Sequence, residues 1–248
     1  MKAPRIVAHR GDACEQPENS LAGFITASRS GAEEIEFDLH FSADGKLIVI
    51  HDPTLDETTW AKGEVASRAA SELTSIRLRG GEGTVLAFEQ LLDSVSESPL
   101  DFRIEVKKDA RRNDYAGLRE ALIEILTTRK LLQRSVITSF DLSVLRPFAS
   151  AGFRTAMWYS KTYRPDADEF PQQLEKMRDC GVADIAILGR ELNEAKLEML
   201  RREQCRVGVW TINGPSRIDY WLRMPVDYVV TDQPALAVRL RNIMASGE

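Results

Sequence analysis

Short runs rich in aliphatic and β-branched residues recur along the 248 residues, and stretches whose apolar positions return every three or four residues lie between most of them. The short runs fall at 5–9, 35–41, 47–51, 102–107, 135–139, 154–159, 183–188, 207–212 and 228–231. Helical periodicity marks 21–30, 115–129, 142–149, 170–180, 193–203 and 234–244. Ser20 is placed to cap the first helix, Asn193 starts another, and Pro215 opens a further one. Strand then helix, repeated, predicts a parallel sheet with crossover helices. Closed after eight units, it is an α/β TIM (β/α)8 barrel, in which functional residues sit at the C-terminal ends of the strands. His9, Lys107, Ser139, Tyr159 and Thr211 hold such positions.

Nine strand candidates are one too many for eight. The gap between Phe41 and Leu47 is too short for a helix, and Ser42-Ala43-Asp44-Gly45 is a turn sequence, so the second and third runs form an early β-hairpin. With a two-residue loop at 43–44, His51 lies across from Glu36, and a four-residue loop puts it across from Asp38. A three-residue loop turns it to the opposite face. The stretch 53–83 is too long for a plain connection and reads as a small insertion over the C-terminal mouth.

Composition narrows the class. No Pro/Gly/Ser-rich linker divides the chain, so residues 1–248 read as one domain, and 43% hydrophobic residues suffice for a full core. A net charge of -5 gives no nucleic-acid footprint, and the pairs Arg111-Arg112 and Arg201-Arg202 read as solvated helix faces. No apolar stretch approaches a membrane span and no signal-like segment precedes the first strand. Three widely spaced cysteines, Cys14, Cys180 and Cys205, fit free thiols. The expectation is a cytoplasmic chain.

Rare chemistry is concentrated near the start. His9 and His51 each end an apolar run. Glu36 and Asp38 are two apart on a strand and share a face, as do Glu105 and Lys107. Carboxylates side by side in a barrel call for a cation, and an all-oxygen set selects one Mg2+ or Ca2+ over zinc. Arg10 suits a bidentate phosphate contact and Lys107 a point charge. Two histidines near neutral pKa suit proton transfer to and from the oxygens of a phosphodiester. His40 shares the parity of Glu36 and Asp38 and reads as a rim or solvent residue.

The ordered series His9-Arg10-Gly11, Pro17-Glu18-Asn19-Ser20, Glu36-Phe37-Asp38-Leu39, Ser42-Ala43-Asp44-Gly45 and His51-Asp52 resembles the glycerophosphodiester phosphodiesterase family. Glu105-Val106-Lys107, Ser139-Phe140, Trp210-Thr211-Ile212-Asn213 and Thr231-Asp232-Gln233-Pro234 extend the likeness over the whole chain. The resemblance implies a metal held by Glu36, Asp38 and Glu105, a His9/His51 acid–base pair, and phosphate binding by Arg10 and Lys107. It gives Glu18 contact with the metal or orientation of Arg10, Asn19 a bracing role in its loop, and Trp210 a place in the pocket wall against the substrate's alcohol.

The activity so implied is cleavage of a small-molecule glycerophosphodiester to sn-glycerol 3-phosphate and an alcohol. A neighbouring glycerol hydroxyl attacks phosphorus, one histidine takes its proton, the other protonates the departing alcohol, and water opens the cyclic phosphate. Two departures from the family pattern bear on substrate choice: Glu57 replaces an arginine, and Val85-Leu86-Ala87-Phe88 lacks a proline. A sugar phosphodiester or lysophospholipid substrate, or a binding barrel without turnover, are the alternatives.

Overall fold

Eight parallel strands close on themselves in the computed structural model, which describes residues 3–246. They are β1 (Arg5–Ala8), β2 (Glu34–Phe41), β5 (Asp101–Val106), β6 (Ser135–Ser139), β7 (Arg154–Tyr159), β8 (Asp184–Leu188), β9 (Arg206–Trp210) and β10 (Tyr228–Thr231), with β3 (Leu47–Val49) and β4 (Leu86–Ala87) outside the ring. Pairing of β1 with both β10 and β2 completes the closure. The extra length of β2 serves two neighbours: Glu34 and Ile35 pair with β1, while 39–41 pair antiparallel with β3.

Alternate residues of the ring strands face opposite ways. Ile35, Phe37, Leu39, Phe102, Ile104, Ile137, Ile185, Ile187 and Val229 join the main core shared with the helices. The first helix, α1 (Leu21–Ser30), begins where Ser20 Oγ accepts from Gly23 N at 3.1 Å and stops at Gly31, whose φ of 88° ends the helical path.

The other faces meet inside the barrel. At its N-terminal end Arg103 reaches Glu34 through Nε and Nη2 (both 3.1 Å) and Asp184 through Nη2 (3.8 Å), and its guanidinium lies 4.1 Å from the Tyr228 ring centroid. Arg5 and Arg206 flank it, on Glu34 at 3.2 Å and Asp184 at 3.4 Å. Gly208 makes room for Tyr228, since a Cβ there would stand 2.0 Å from a ring carbon. Val7, Trp158, Ala186, Tyr228 and Val230 form an apolar cluster of their own within the barrel.

The hairpin has the register that the sequence argument associates with His51 facing away. Ser42 N donates to the Lys46 carbonyl at 2.9 Å, so Ala43, Asp44 and Gly45 form a three-residue loop, with Gly45 at φ 73°. Leu39 then faces Val49 and His40 faces Ile48. Backbone pairing ends with Ile50 N on the Asp38 carbonyl at 3.1 Å, so strand parity does not govern His51, which lines the central cavity.

Residues 53–83 build a separate small core in which Leu55, Val65, Leu73 and Leu78 pack with Ile48, Ile50 and Val85. It includes a 3-10 turn (Val65–Ser67) and the short helix α2 (Ala70–Leu73). None of 53–83 lines the central cavity, and the exposed Glu57 stands outside it. Between this segment and β5 lies α3 (Phe88–Ser94), whose helical pattern is too short to stand out in the sequence.

Candidate active site

Adjacent strands bring the acids together. Asp38 of β2 pairs in register with Glu105 of β5, and Glu36 lies two residues back on the same face. One oxygen from each of Glu36, Asp38 and Glu105 lies within 4.8 Å of the others, all three buried. Lys107 Nζ sits 3.0 Å from Asp38 and 2.8 Å from Glu105. Arg10 Nε is 3.5 Å from Asp38, while its backbone N–H donates to Glu36 at 3.0 Å. Glu18 receives both of its oxygens' contacts from Arg10 Nη1, at 3.0 and 3.1 Å, so it orients Arg10. Asn19, at φ 54°, donates Nδ2 to Asp38 at 2.9 Å, bracing a carboxylate as well as its loop.

The cluster is electrically unbalanced. Burial, then the charges of Asp38 and Glu105, push the Glu36 carboxyl well above the usual range. Burial also opposes ionisation of Asp38, but Lys107 and Arg10 outweigh it and hold that carboxyl well below its ordinary value. The same carboxylates keep Lys107 and Arg10 charged despite burial. Buried carboxylate oxygens that repel one another are the donor set a hard divalent cation fits.

Each histidine is held by an acid. His9 Nδ1 donates to Asp232 Oδ1 at 2.6 Å, and Asp232 is itself held by Asn213, which donates to its carboxylate and accepts its backbone N–H at 3.0 Å. His51 Nδ1 donates to Asp52 at 2.9 Å. In both rings Nε2 is therefore the basic nitrogen, and that of His9 is 4.0 Å from Glu36.

His40 departs from its expected rim position. It is 1% exposed, donates Nε2–H to the His51 carbonyl at 3.0 Å and accepts the Tyr115 hydroxyl at Nδ1 (2.7 Å). Burial drives its pKa down to about 4, as a neutral ring with those two partners requires.

A cavity of about 470 Å³ opens over these groups, lined by His9, Arg10, His51, Glu105, Lys107 and, farther along, Ser139, Trp158, Tyr163, Trp210 and Thr211. Trp210 is fixed by its indole N–H on the Ala186 carbonyl at 3.0 Å. Tyr159, expected at the site from its strand-end position, instead packs outward on Phe170, because the inward parity of β7 belongs to Trp158. Asp232 has no expected role in the sequence reading, although its place just past the end of β10 is the signal that could have found it.

A buried acid cluster and paired histidines at the mouth of a closed barrel define the class of α/β-barrel hydrolases. The glycerophosphoryl diester phosphodiesterase family matches residues 9–236, and the chain belongs to that family of enzymes. A glycerophosphodiester phosphodiesterase from Bacillus altitudinis is 29% identical, over 97% of this chain and 99% of its own. A candidate glycerophosphoryl diester phosphodiesterase from Agrobacterium tumefaciens, 26% identical, has the same fold with a TM-score of 0.93, covering 99% of this chain and all of that one. The Oleispira antarctica phosphodiesterase solved with the product sn-glycerol-3-phosphate shares the fold at 21% identity and a TM-score of 0.81, over 97% of each chain. No helix among the described residues is long and apolar enough to cross a membrane.

Proposed function

We propose that the protein is a single-domain cytoplasmic hydrolase that cleaves glycerophosphodiesters to sn-glycerol 3-phosphate and an alcohol, with one Mg2+ or Ca2+ bound. The observation that carries this reading is the juxtaposition of the Glu36–Asp38–Glu105 cluster with His9 and His51 around one cavity. Family membership and the product bound to the Oleispira relative support it, and the three free cysteines accord with a reducing compartment. Glu36, Asp38 and Glu105 hold the cation, which when bound supplies positive charge against the growing charge on the phosphate oxygens.

Arg10 and Lys107 bind the phosphate, their charges secured by the same carboxylates. One histidine takes the proton of the glycerol hydroxyl beside phosphorus at Nε2, and that oxygen forms the new P–O bond. The other histidine gives its Nε2 proton to the alcohol oxygen as the old P–O bond breaks. Water opens the resulting cyclic phosphate with the two proton transfers reversed. Asp232 and Asp52 keep both rings in the tautomer this exchange needs.

The test is phosphorus NMR of glycerophosphoglycerol incubated with the protein and Mg2+ or Ca2+. The monoester resonance is expected to appear, and to stop appearing when EDTA is added. His9→Ala is expected to be slower by about 100- to 10,000-fold at every cation concentration. An unchanged diester, or rescue of His9→Ala by cation alone, would overturn the proposal.

A further inference from the structure

Past the acid cluster, the cavity continues to side chains that take no part in the phosphoryl chemistry. Trp210, Trp158, Phe140 and Tyr163 make an aromatic wall, with the Trp210 ring 5.5 Å from both Phe140 and Trp158 and 5.7 Å from Tyr163. The Trp210 N–H is taken by Ala186, but the Trp158 indole N–H is buried without a partner, and Trp158 lines the cavity.

The rim of the same side carries Lys108, Arg112, Arg164 and one carboxylate, Asp141. Lys108 is paired with Asp141 at 2.7 Å and Asp114 at 3.5 Å, and Asp141 is further held by Ser143. Arg164 grips Asp166 through two contacts of 3.1 Å. Arg112 has no carboxylate within 4 Å among the described residues. It is held at φ 65° in a loop built by Asp109, whose side chain accepts from the backbone of Arg111 and Asn113 while Arg112 N donates to the Asp109 carbonyl at 2.9 Å. Three carboxylates thus stand against the three rim cations, and among the described residues Arg112, which acts on Asp166 only from beyond 4 Å, is the rim cation in no ion pair, beside the aromatic faces.

An aromatic wall alone suits a quaternary ammonium group. A free guanidinium at its edge repels a cation and offers a carboxylate or phosphate the charge-assisted contact it lacks elsewhere. We infer that this subsite receives the leaving alcohol, and that the protein prefers diesters whose alcohol carries an acid group over those ending in a choline-like cation. The inference rests on the hydrolytic reading above and adds the substrate class to it.

The test uses the cation-loaded protein and glycerophosphodiesters of four alcohols: glycerate, glycerol phosphate, glycerol and choline. Loss of each diester is followed by phosphorus NMR. The two acid-bearing substrates are expected to exceed the choline diester in kcat/KM by about tenfold at low salt. Whichever of the two is faster identifies the acid as carboxylate or phosphate. In Arg112→Gln the ratio of acid-bearing to neutral turnover falls about fivefold. Because each ratio is internal to one preparation, any unfolded fraction cancels. A choline diester turned over as well as the acid-bearing ones, or a ratio unmoved by Arg112→Gln, would overturn the inference. Absence of all turnover would instead overturn the hydrolytic reading, and dissociation constants of the uncleaved diesters, read by tryptophan fluorescence, would still rank the four alcohols for or against the inference.

Discussion

Two buried charged layers are stacked inside one barrel, sharing one face of β2 and of β5, and they are built in opposite ways. Glu34 belongs to the lower layer and Glu36 to the upper, as do Arg103 and Glu105 on the neighbouring strand. Below, Glu34 and Asp184 face Arg103, with Arg5 and Arg206 at their flanks, and Arg5 continues to Asp101. Burial opposes ionisation of Glu34, yet Arg103 and Arg5 prevail and leave its carboxyl below the ordinary range. Above, Glu36, Asp38, Glu105 and Glu18 face two permanent cations, Arg10 and Lys107, with His9 Nε2 4.0 Å from Glu36. With all four carboxylates ionised the upper layer would be two positive charges short, and the raised Glu36 carboxyl reflects that deficit. A closed network specifies how strands pack, whereas an open one stores repulsion that a divalent ligand relieves.

The strongest way to break this contrast is to open the lower layer. Arg103→Met leaves two carboxylates buried without their shared partner and is expected to cost about 3–5 kcal/mol in urea unfolding. A cost below about 1 kcal/mol would mean that the lower layer is no more self-contained than the upper.

A smaller effect sharpens the upper layer's support. His40 stays neutral in the folded protein down to about pH 4, whereas an unfolded histidine gains its proton near 6.5. Between those values the unfolded chain binds more protons, so stability rises with pH across the window and is lost as pH falls through it. The contribution is about 3 kcal/mol over the full window. Unfolding curves from pH 4 to 7 are expected to be less steep in pH for His40→Gln, and an identical slope would remove His40 as the neutral brace of His51.

Much of the barrel was legible because buried parallel strands read as near-continuous apolar runs with helices between them. All eight ring strands lie where the apolar pattern places them. The two-residue β4 and the four-residue α2 are too short to leave a periodic signal, and owe their form to the separate core around Leu55 and Val65. The hairpin register escaped because Ser42–Lys46 pairing depends on a left-handed Gly45 that the turn sequence alone does not fix.

For the candidate site, alternation along single strands was enough to group Glu36 with Asp38 and Glu105 with Lys107. What it could not supply were partners from distant strands. Asp232 meets His9 across 223 residues, and Tyr228 meets Asp184 and Arg103 only after closure. His40 was misplaced for the same reason, since Tyr115 and the His51 carbonyl enclose it from other segments.

The direct test of the contrast is calorimetric titration of metal-free protein with Mg2+ and with Ca2+, for wild type and Glu36→Gln. The account predicts one saturable divalent site in the wild type, accompanied by proton release from the raised Glu36 carboxyl, and binding weakened in Glu36→Gln with that proton release abolished. Absence of binding for both ions, or equal affinity and proton release in Glu36→Gln, would contradict it.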